Sequence, residues 1–237
     1  AGLVAPSHVI PFAAPGMLQM GIKEFAKRSG AFDVKPTAGL NFASWSLAFA
    51  RACTRAHVER SAPAIRELLD RSIALFDELS RDHGLQRAPK PLYYIFTSDR
   101  AEELLHEEVE LFAAHGIPTA PVDLDTAHRE PTHPVILAEK RITANPAAGG
   151  YRITTGYTLT SPNDRAVEPH AIDKLLASAG EALHLPPRAA DIQPWTGVRP
   201  ASPDGLPHIG PLRNAPRVIA ATGHGMIGTM QALGTGA

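Results

Sequence analysis

The stretch Gly223-His-Gly-Met-Ile-Gly228 constrains this chain more than any other. A β-rich run, Arg217-Val-Ile-Ala-Ala-Thr222, precedes it, and a helical pattern follows. Gly-x-Gly-x-x-Gly between strand and helix is the fingerprint of a dinucleotide-binding turn. That fingerprint needs a unit of about 30 residues, with a second strand and an acidic residue about 20 positions on. Only nine residues follow Gly228. A Rossmann unit built on this turn is therefore not expected. The local physics survives. Glycines let backbone approach closely, and a helix N-terminus offers unpaired N–H groups and partial positive charge. Such a turn suits an anionic or electron-rich group. The same glycines also serve a helix packed tightly on a strand, with no ligand.

Composition narrows the function classes. With 23 basic and 24 acidic residues, the net charge is −1, so neither nucleic acid nor an anionic membrane surface is expected as the main partner. The lone cysteine, Cys53, excludes an internal disulfide and a Cys-rich zinc site, and fits a reducing compartment. Eleven histidines are scattered without His-Glu-x-x-His spacing, and no metal is expected. No Gly-x-Ser-x-Gly elbow opens a hydrolase reading. The apolar N-terminus is broken by Pro6, Pro11 and Pro15 and lacks a basic leader, so it does not read as a signal peptide. No apolar run reaches transmembrane length. The chain lacks an initiator methionine and reads as part of something longer.

Periodicity gives the elements. Met17–Arg28 reads as a short helix. Phe42, Trp45, Phe49 and Ala52 share a face of a helix over 41–60. Ser61 and Pro63 read as a second helix start, with Ile65, Leu68, Leu69, Ile73, Phe76 and Leu79 running on to Gly84. Residues 91–98 are β-rich. Ser98 or Asp99 caps the next helix, with Glu102 and Glu103 in its first turn, Gly116 at its end, and Leu104, Leu105, Val109 and Phe112 on its buried face. Residues 119–124 read as a short strand and 125–130 as a helical turn. Two β-rich runs flank 145–150 as a hairpin. Residues 170–183 form an amphipathic helix. Residues 190–200 read as a strand, 202–205 as a turn, 217–222 as a buried strand, and a last helix starts near Gly225. Helices cluster early and strands late. The expected class is α+β, a mostly antiparallel sheet with a helical cap.

Two stretches carry a resemblance. Pro194-Trp-Thr-Gly-Val-Arg-Pro-Ala-Ser-Pro-Asp-Gly-Leu-Pro-His-Ile-Gly-Pro-Leu212, followed by Val218-Ile-Ala-Ala-Thr-Gly-His-Gly-Met-Ile-Gly-Thr-Met-Gln-Ala-Leu-Gly-Thr-Gly236, resembles the C-terminal signature of the D-amino acid oxidase superfamily, nearest its D-amino acid dehydrogenase branch. Ala1–Leu18 resembles that branch's segment just after the first nucleotide-binding unit. Two departures stand out. The strand and Gly-rich turn that hold the ADP half of FAD are absent, and a stretch of FAD domain is missing where segments abut near Thr132-His133. The resemblance thus implies a substrate-binding domain over 1–237, discontinuous in the parent (about 1–132 and 133–237). Residues 217–237 are what remains of the FAD-domain C-terminal strand and helix.

The resemblance also implies roles. Arg199 is the carboxylate anchor, since a guanidinium fork clamps a carboxylate in two places. Otherwise it is a surface ion pair. Gly223, His224, Gly225, Met226 and Ile227 meet the flavin near its pyrimidine end, where backbone N–H groups stabilise charge arriving with the hydride. The His224 imidazole is a lesser candidate for that work. Ser7 and His8 lie along the flavin. Tyr157 is expected to line the substrate pocket, with Thr155 and Leu159 as neighbours subject to strand alternation. Trp195 is core or pocket wall, Gly197 permits close approach, and Asp204 and Gly205 make a tight turn. The implied activity is oxidative deamination of a D-amino acid by hydride transfer to flavin N5, with non-covalent FAD held weakly or not at all by this chain alone. A glycine, sarcosine or hydroxyproline oxidoreductase is the alternative within the superfamily. A non-catalytic module for a small carboxylate or a partner chain is the alternative outside it. Implied partners are the amino-acid substrate and the FAD-binding segments of the parent. The implied location is cytoplasmic, with a peripheral link to a membrane quinone. An apolar face is expected to lie exposed where the FAD domain would sit, making the isolated chain pair or aggregate.

Overall fold

The computed structural model describes residues 3–5, 7–19, 21–22, 32–35, 40–84, 90–122, 133–147, 150–160, 166, 169–183 and 192–237. The chain is α+β. Its described strands form three sheets rather than one, and two of the pairings are parallel. The chain divides into two compact units. One comprises Ala1–Ile22, Pro36–Ala88 and Val198–Ala237, and the other Lys23–Lys35 and Pro89–Gly197.

The second unit is built on a four-stranded sheet. Strands β2 (Tyr93–Ile95), β3 (Val135–Leu137), β4 (Ile142–Ala147) and β5 (Gly150–Thr155) lie in that order. β2 and β3 run parallel, while β3, β4 and β5 are antiparallel. Parallel neighbours need a crossover, and α3 (Ala101–Ala114) lies within it. Alternation sends Ile95, Val135, Leu137, Ile142 and Ala144 to one face, where Ala179, Ala182 and Leu183, at and just beyond the end of α4 (Pro169–Gly180), bury them. Each large side chain so buried contributes about 1.5–3 kcal/mol. The predicted hairpin is present, but Asn145 and Pro146 sit in β4 opposite Arg152 and Tyr151. β1 (Phe32–Val34) pairs in parallel with β6 (Tyr157–Leu159) as a separate two-stranded sheet.

Several expectations change in this unit. Of the four residues expected to be buried on α3, only Phe112 is buried, edge-on to Tyr94 at 5.3 Å, while Leu105 and Val109 are exposed. The α3 N-cap is Arg100 without a side-chain cap, although Ser98 Oγ accepts from the Arg100 N–H at 3.2 Å. Residues 119–122 are not a strand, and Pro121 removes a ladder donor there. The turn expected at 125–130 lies outside the described residues.

The first unit is helical with one hairpin. Residues 17–19 and 21–22 are helical; the rest of the helix expected there lies outside the described residues. The run expected as one helix over 41–60 breaks in two. α1 (Leu40–Ala52) ends at Cys53, and α2 (Arg55–His83) begins after Thr54, whose Oγ1 accepts from the His57 N–H at 3.2 Å. Ser61 and Pro63 are therefore interior to α2, not its start. A cap needs a side chain reaching the free N–H groups of the first turn, and Thr54 supplies it. Gly84 closes α2 in the left-handed region, as expected. Strands β7 (His208–Leu212) and β8 (Ala215–Thr222) form an antiparallel hairpin, and α5 (Gly228–Gly236) ends the unit. β8 was expected to be buried. It is instead exposed along most of its length, with Val218 at 52% and Ile219 at 72% exposure. Apolar side chains thus lie exposed on this hairpin.

α5 packs on α2 through Gly234. A Cβ there would stand 2.6 Å from the Leu68 carbonyl oxygen and 3.2 Å from the Ser72 amide nitrogen. Only glycine admits that approach. Gln231, one turn earlier, and Ser72 are wholly buried, and their side-chain polar atoms have no hydrogen-bond partner among the described residues.

Candidate functional site

The segment carrying Arg199 is extended but is not a strand. Residues 192–200 make no ladder, and Pro194 and Pro200 each lack the N–H one would need. The side chain of Arg199 lies on an exposed stretch. Immediately after it, the backbone is tied to the glycine-rich turn. The Gly225 N–H donates to the Pro200 carbonyl at 2.9 Å, and Ala201 bridges antiparallel to His224. Arg199 and residues 223–227 are thus brought onto adjoining backbone within one unit, 24 or more positions apart in sequence.

The turn after Arg199 is closed by its own polar groups. The Gly205 N–H donates to the Ser202 carbonyl at 3.2 Å. Ser202 Oγ donates to the Leu206 carbonyl at 2.6 Å. Asp204 Oδ1 accepts from the Leu206 N–H at 3.1 Å, the Asx geometry expected of a turn residue. Gly205 has φ +75°, and a Cβ there would lie 2.8 Å from the Phe12 amide nitrogen. A side chain is excluded both by conformation and by space.

The turn at 223–227 combines left-handed glycines with a helix start that lacks a side-chain cap. Gly223 (φ +81°) and Gly225 (φ +53°) occupy the left-handed region. α5 starts at Gly228, later than expected. Its N-cap, Ile227, makes no side-chain capping bond. The first N–H groups of a helix have no intrahelical partner, so they remain for a ligand or for water. Gly223 is buried, while Met226 is 46% exposed. His224 is half-buried, and its Nε2 lies 3.0 Å from Thr235 Oγ1 near the far end of α5. Burial holds its imidazole below the ordinary histidine value. The ring is engaged with the helix, and the Gly225 and Ile227 N–H groups are donated to the Pro200 and His224 carbonyls, so the first N–H groups of α5 are what this turn offers an electron-rich group.

The other expected residues fall as follows. Ser7 and His8 lie in the same unit as Arg199, half-buried, with Ser7 Oγ 3.5 Å from His8 Nδ1. Burial lowers the His8 pKa. Their neighbours Ala5, Val9 and Ala13 belong to the core. Tyr157 and Trp195 belong to the other unit. Tyr157 is half-buried on β6, opposite Phe32. Trp195 is 59% exposed, so it is not core. Its indole folds over Gly197, where a Cβ would meet Cζ3 at 3.0 Å. Among the described residues no group of histidine, cysteine and acidic side chains could hold a metal ion. No helix among them is long and apolar enough to cross a membrane.

Sequence reasoning missed two residues beside this site. Trp45 Nε1 donates to the Ala201 carbonyl at 3.0 Å, and His57 Nε2 lies 2.7 Å from the Asp204 carbonyl. They stand 156 and 147 positions from those partners, so no local pattern could reveal them.

Comparison with known proteins adds the family. The model of the FAD dependent oxidoreductase (DAO) family matches residues 119–237, half of the chain. The chain belongs to this family. FAD is the family's cofactor, and the uncapped helix start beside two left-handed glycines is chemically suited to its electron-rich pyrimidine end. A stretch of 94 residues is 40% identical to glycine oxidase of Pseudomonas aeruginosa, covering 38% of this chain and 24% of that enzyme. No solved structure matches.

Proposed function

We propose that this chain is the substrate-binding part of an FAD-dependent oxidoreductase that oxidatively deaminates a small amino acid, most simply a D-amino acid. The observation that carries the reading is the joining of Arg199 to the glycine-rich helix start through the 2.9 Å bond from Gly225 to Pro200. It puts a guanidinium suited to a carboxylate on the same short backbone frame as N–H groups suited to developing negative charge. Bound FAD supplies the acceptor for the two electrons that leave the substrate with the α-hydrogen. The chain's own share is to bind and orient. Arg199 takes the carboxylate, and the first N–H groups of α5 hold the electron-rich end of the flavin beside Gly223, Gly225, Met226 and Ile227, since the Gly225 and Ile227 N–H groups are already donated to the Pro200 and His224 carbonyls. Ser7 and His8 are proposed beside the cofactor, and Tyr157 and Trp195 beside the substrate. Such chemistry rests on positioning and electrostatics, so it needs no strong side-chain base. FAD-binding segments of the parent chain are proposed to cover the exposed β7–β8 hairpin.

Glycine is the second reading for the substrate, favoured by the 40% identity to a glycine oxidase. The test is the protein purified from its host and titrated anaerobically. Bleaching of a bound flavin by D-alanine supports the first reading, and bleaching by glycine alone supports the second. Bleaching abolished in the Arg199→Ala variant supports the anchor. A colourless protein with neither response overturns the enzyme reading in favour of a non-catalytic carboxylate-binding module.

A further inference from the structure

The segment from Pro200 to Leu206 joins Arg199 to β7, and side chains from two helices hold it. Trp45 of α1 donates from Nε1 to the Ala201 carbonyl at 3.0 Å. His57 of α2 sits 2.7 Å from the Asp204 carbonyl through Nε2. A carbonyl only accepts, so Nε2 carries the proton. Each donor is itself fixed. The Trp45 ring stacks on Phe49 at 5.2 Å, with 10° between the planes, and Phe49 in turn meets Phe12 at 5.5 Å. His57 is 8% exposed, and its backbone N–H is spent on the Thr54 cap that starts α2. Ser61 Oγ stands 3.5 Å from both ring nitrogens. The two bonds grip the turn at Ala201 and at Asp204. Between and beside them the chain meets Gly225 through Pro200, and Phe12 and Ala13 through Gly205.

We propose that Trp45 and His57 are positioning residues for the carboxylate end of the site. They act through the Ala201 and Asp204 carbonyls. By fixing the turn they set Arg199 on one side and the Gly223–Gly225 backbone on the other. The ligand's identity rests on the reading proposed above. The grip on the turn does not.

The test has two readouts. In the 237-residue chain, amide hydrogen exchange is followed at Gly205, Leu206 and Gly225. In the protein purified from its host, KM and kcat are measured for glycine and D-alanine. His57→Leu and Trp45→Phe, which delete the donors, are expected to speed exchange at those three amides and to leave the β3–β4 amides unchanged. Each is expected to raise KM about tenfold, the scale of one lost hydrogen bond, with kcat little altered. His57→Gln keeps a side-chain N–H donor and is expected to restore both readouts. Unchanged exchange, unchanged KM, or no rescue by His57→Gln overturns the proposal. Arg199→Ala separates the two ideas. If it leaves KM unchanged while His57→Leu raises it, the anchor reading falls and the positioning role stands. If Arg199→Ala raises KM and His57→Leu does not, the positioning role falls alone.

Discussion

The sheet β2–β5 and the hairpin β7–β8 are made from similar sequence and live in different surroundings. Val135-Ile-Leu137 and Val218-Ile-Ala220 are both short apolar β-rich runs. In the first, Val135 and Leu137 are 0% and 2% exposed, because α4 closes over their face. In the second, Val218 and Ile219 point to opposite faces and both are exposed. A lone two-stranded hairpin is marginal in water. This one is held at its base, where the Pro200–Leu206 turn, the Gly225–Pro200 bond and the packing of α5 on α2 converge. Strand propensity reports how a residue fits a pleated surface; it does not report what will cover that surface.

The sharpest test of this contrast is a pair of truncations. Ile142→Ala, in the covered sheet, is expected to cost about 2–5 kcal/mol in urea unfolding, through lost burial and the cavity left behind. Ile219→Ala, at 72% exposure, is expected to stay within about 0.5 kcal/mol. Equal losses would mean that the hairpin has cover of its own, and the comparison would fail. The base of the hairpin gives the next effect. In an ordinary helix interior, Gly→Ala gains up to about 1 kcal/mol. At Gly234 the added carbon would meet backbone 2.6 Å away, so Gly234→Ala is expected to lose about 1–3 kcal/mol instead. A gain would show that α5 is free to move off α2.

The same contrast explains what could be read in advance. The amphipathic helices, the β4–β5 hairpin and the tight turn at Ser202–Gly205 were legible because each is set by local chemistry: periodicity, a reversal between two β-rich runs, an Asx turn. The glycine-rich turn before α5 was legible for the same reason. What escaped depends on distant partners. Ser61 and Pro63 imitate a helix start, yet Thr54 makes the cap and the helix runs through both. Residues 190–200 imitate a strand, but among the described residues no neighbouring strand meets 192–200. The alternation on α3 promises a buried face, but the element it packs on reaches only Phe112. At the candidate site, Arg199 and residues 223–227 are proposed from motif. Trp45 and His57 do not, since each acts on a carbonyl about 150 positions away, and nothing in the local sequence marks such a donor.

Gln231 offers a smaller effect of opposite sign. Its amide is wholly buried with no partner among the described residues, a desolvation cost that no bond offsets there. Gln231→Met keeps the volume and removes the polar atoms. A gain of about 1 kcal/mol is expected in the urea midpoint. A loss would show that the amide has a partner, such as a buried water, and that the α2–α5 seam is polar by design.

The smallest effect expected is a pH dependence within the hairpin's unit. Burial lowers the pKa of both His8 and His224 below the unfolded value of 6.5. The unfolded chain therefore binds protons more readily than the folded one as pH falls past that value. By linkage, the contribution of these two groups is fully present above 6.5 and is lost as pH falls from there through their folded-state values. Acidifying from neutral pH should lower the urea midpoint of this unit, followed by amides of α2 and α5. His8→Asn with His224→Asn should flatten the slope just below 6.5, where carboxylates contribute little. The β3–β4 amides of the other unit are followed for comparison. A common pH slope in both sets of amides would mean that the two units unfold as one, and the contrast between their sheets would then be one of exposure and not of stability.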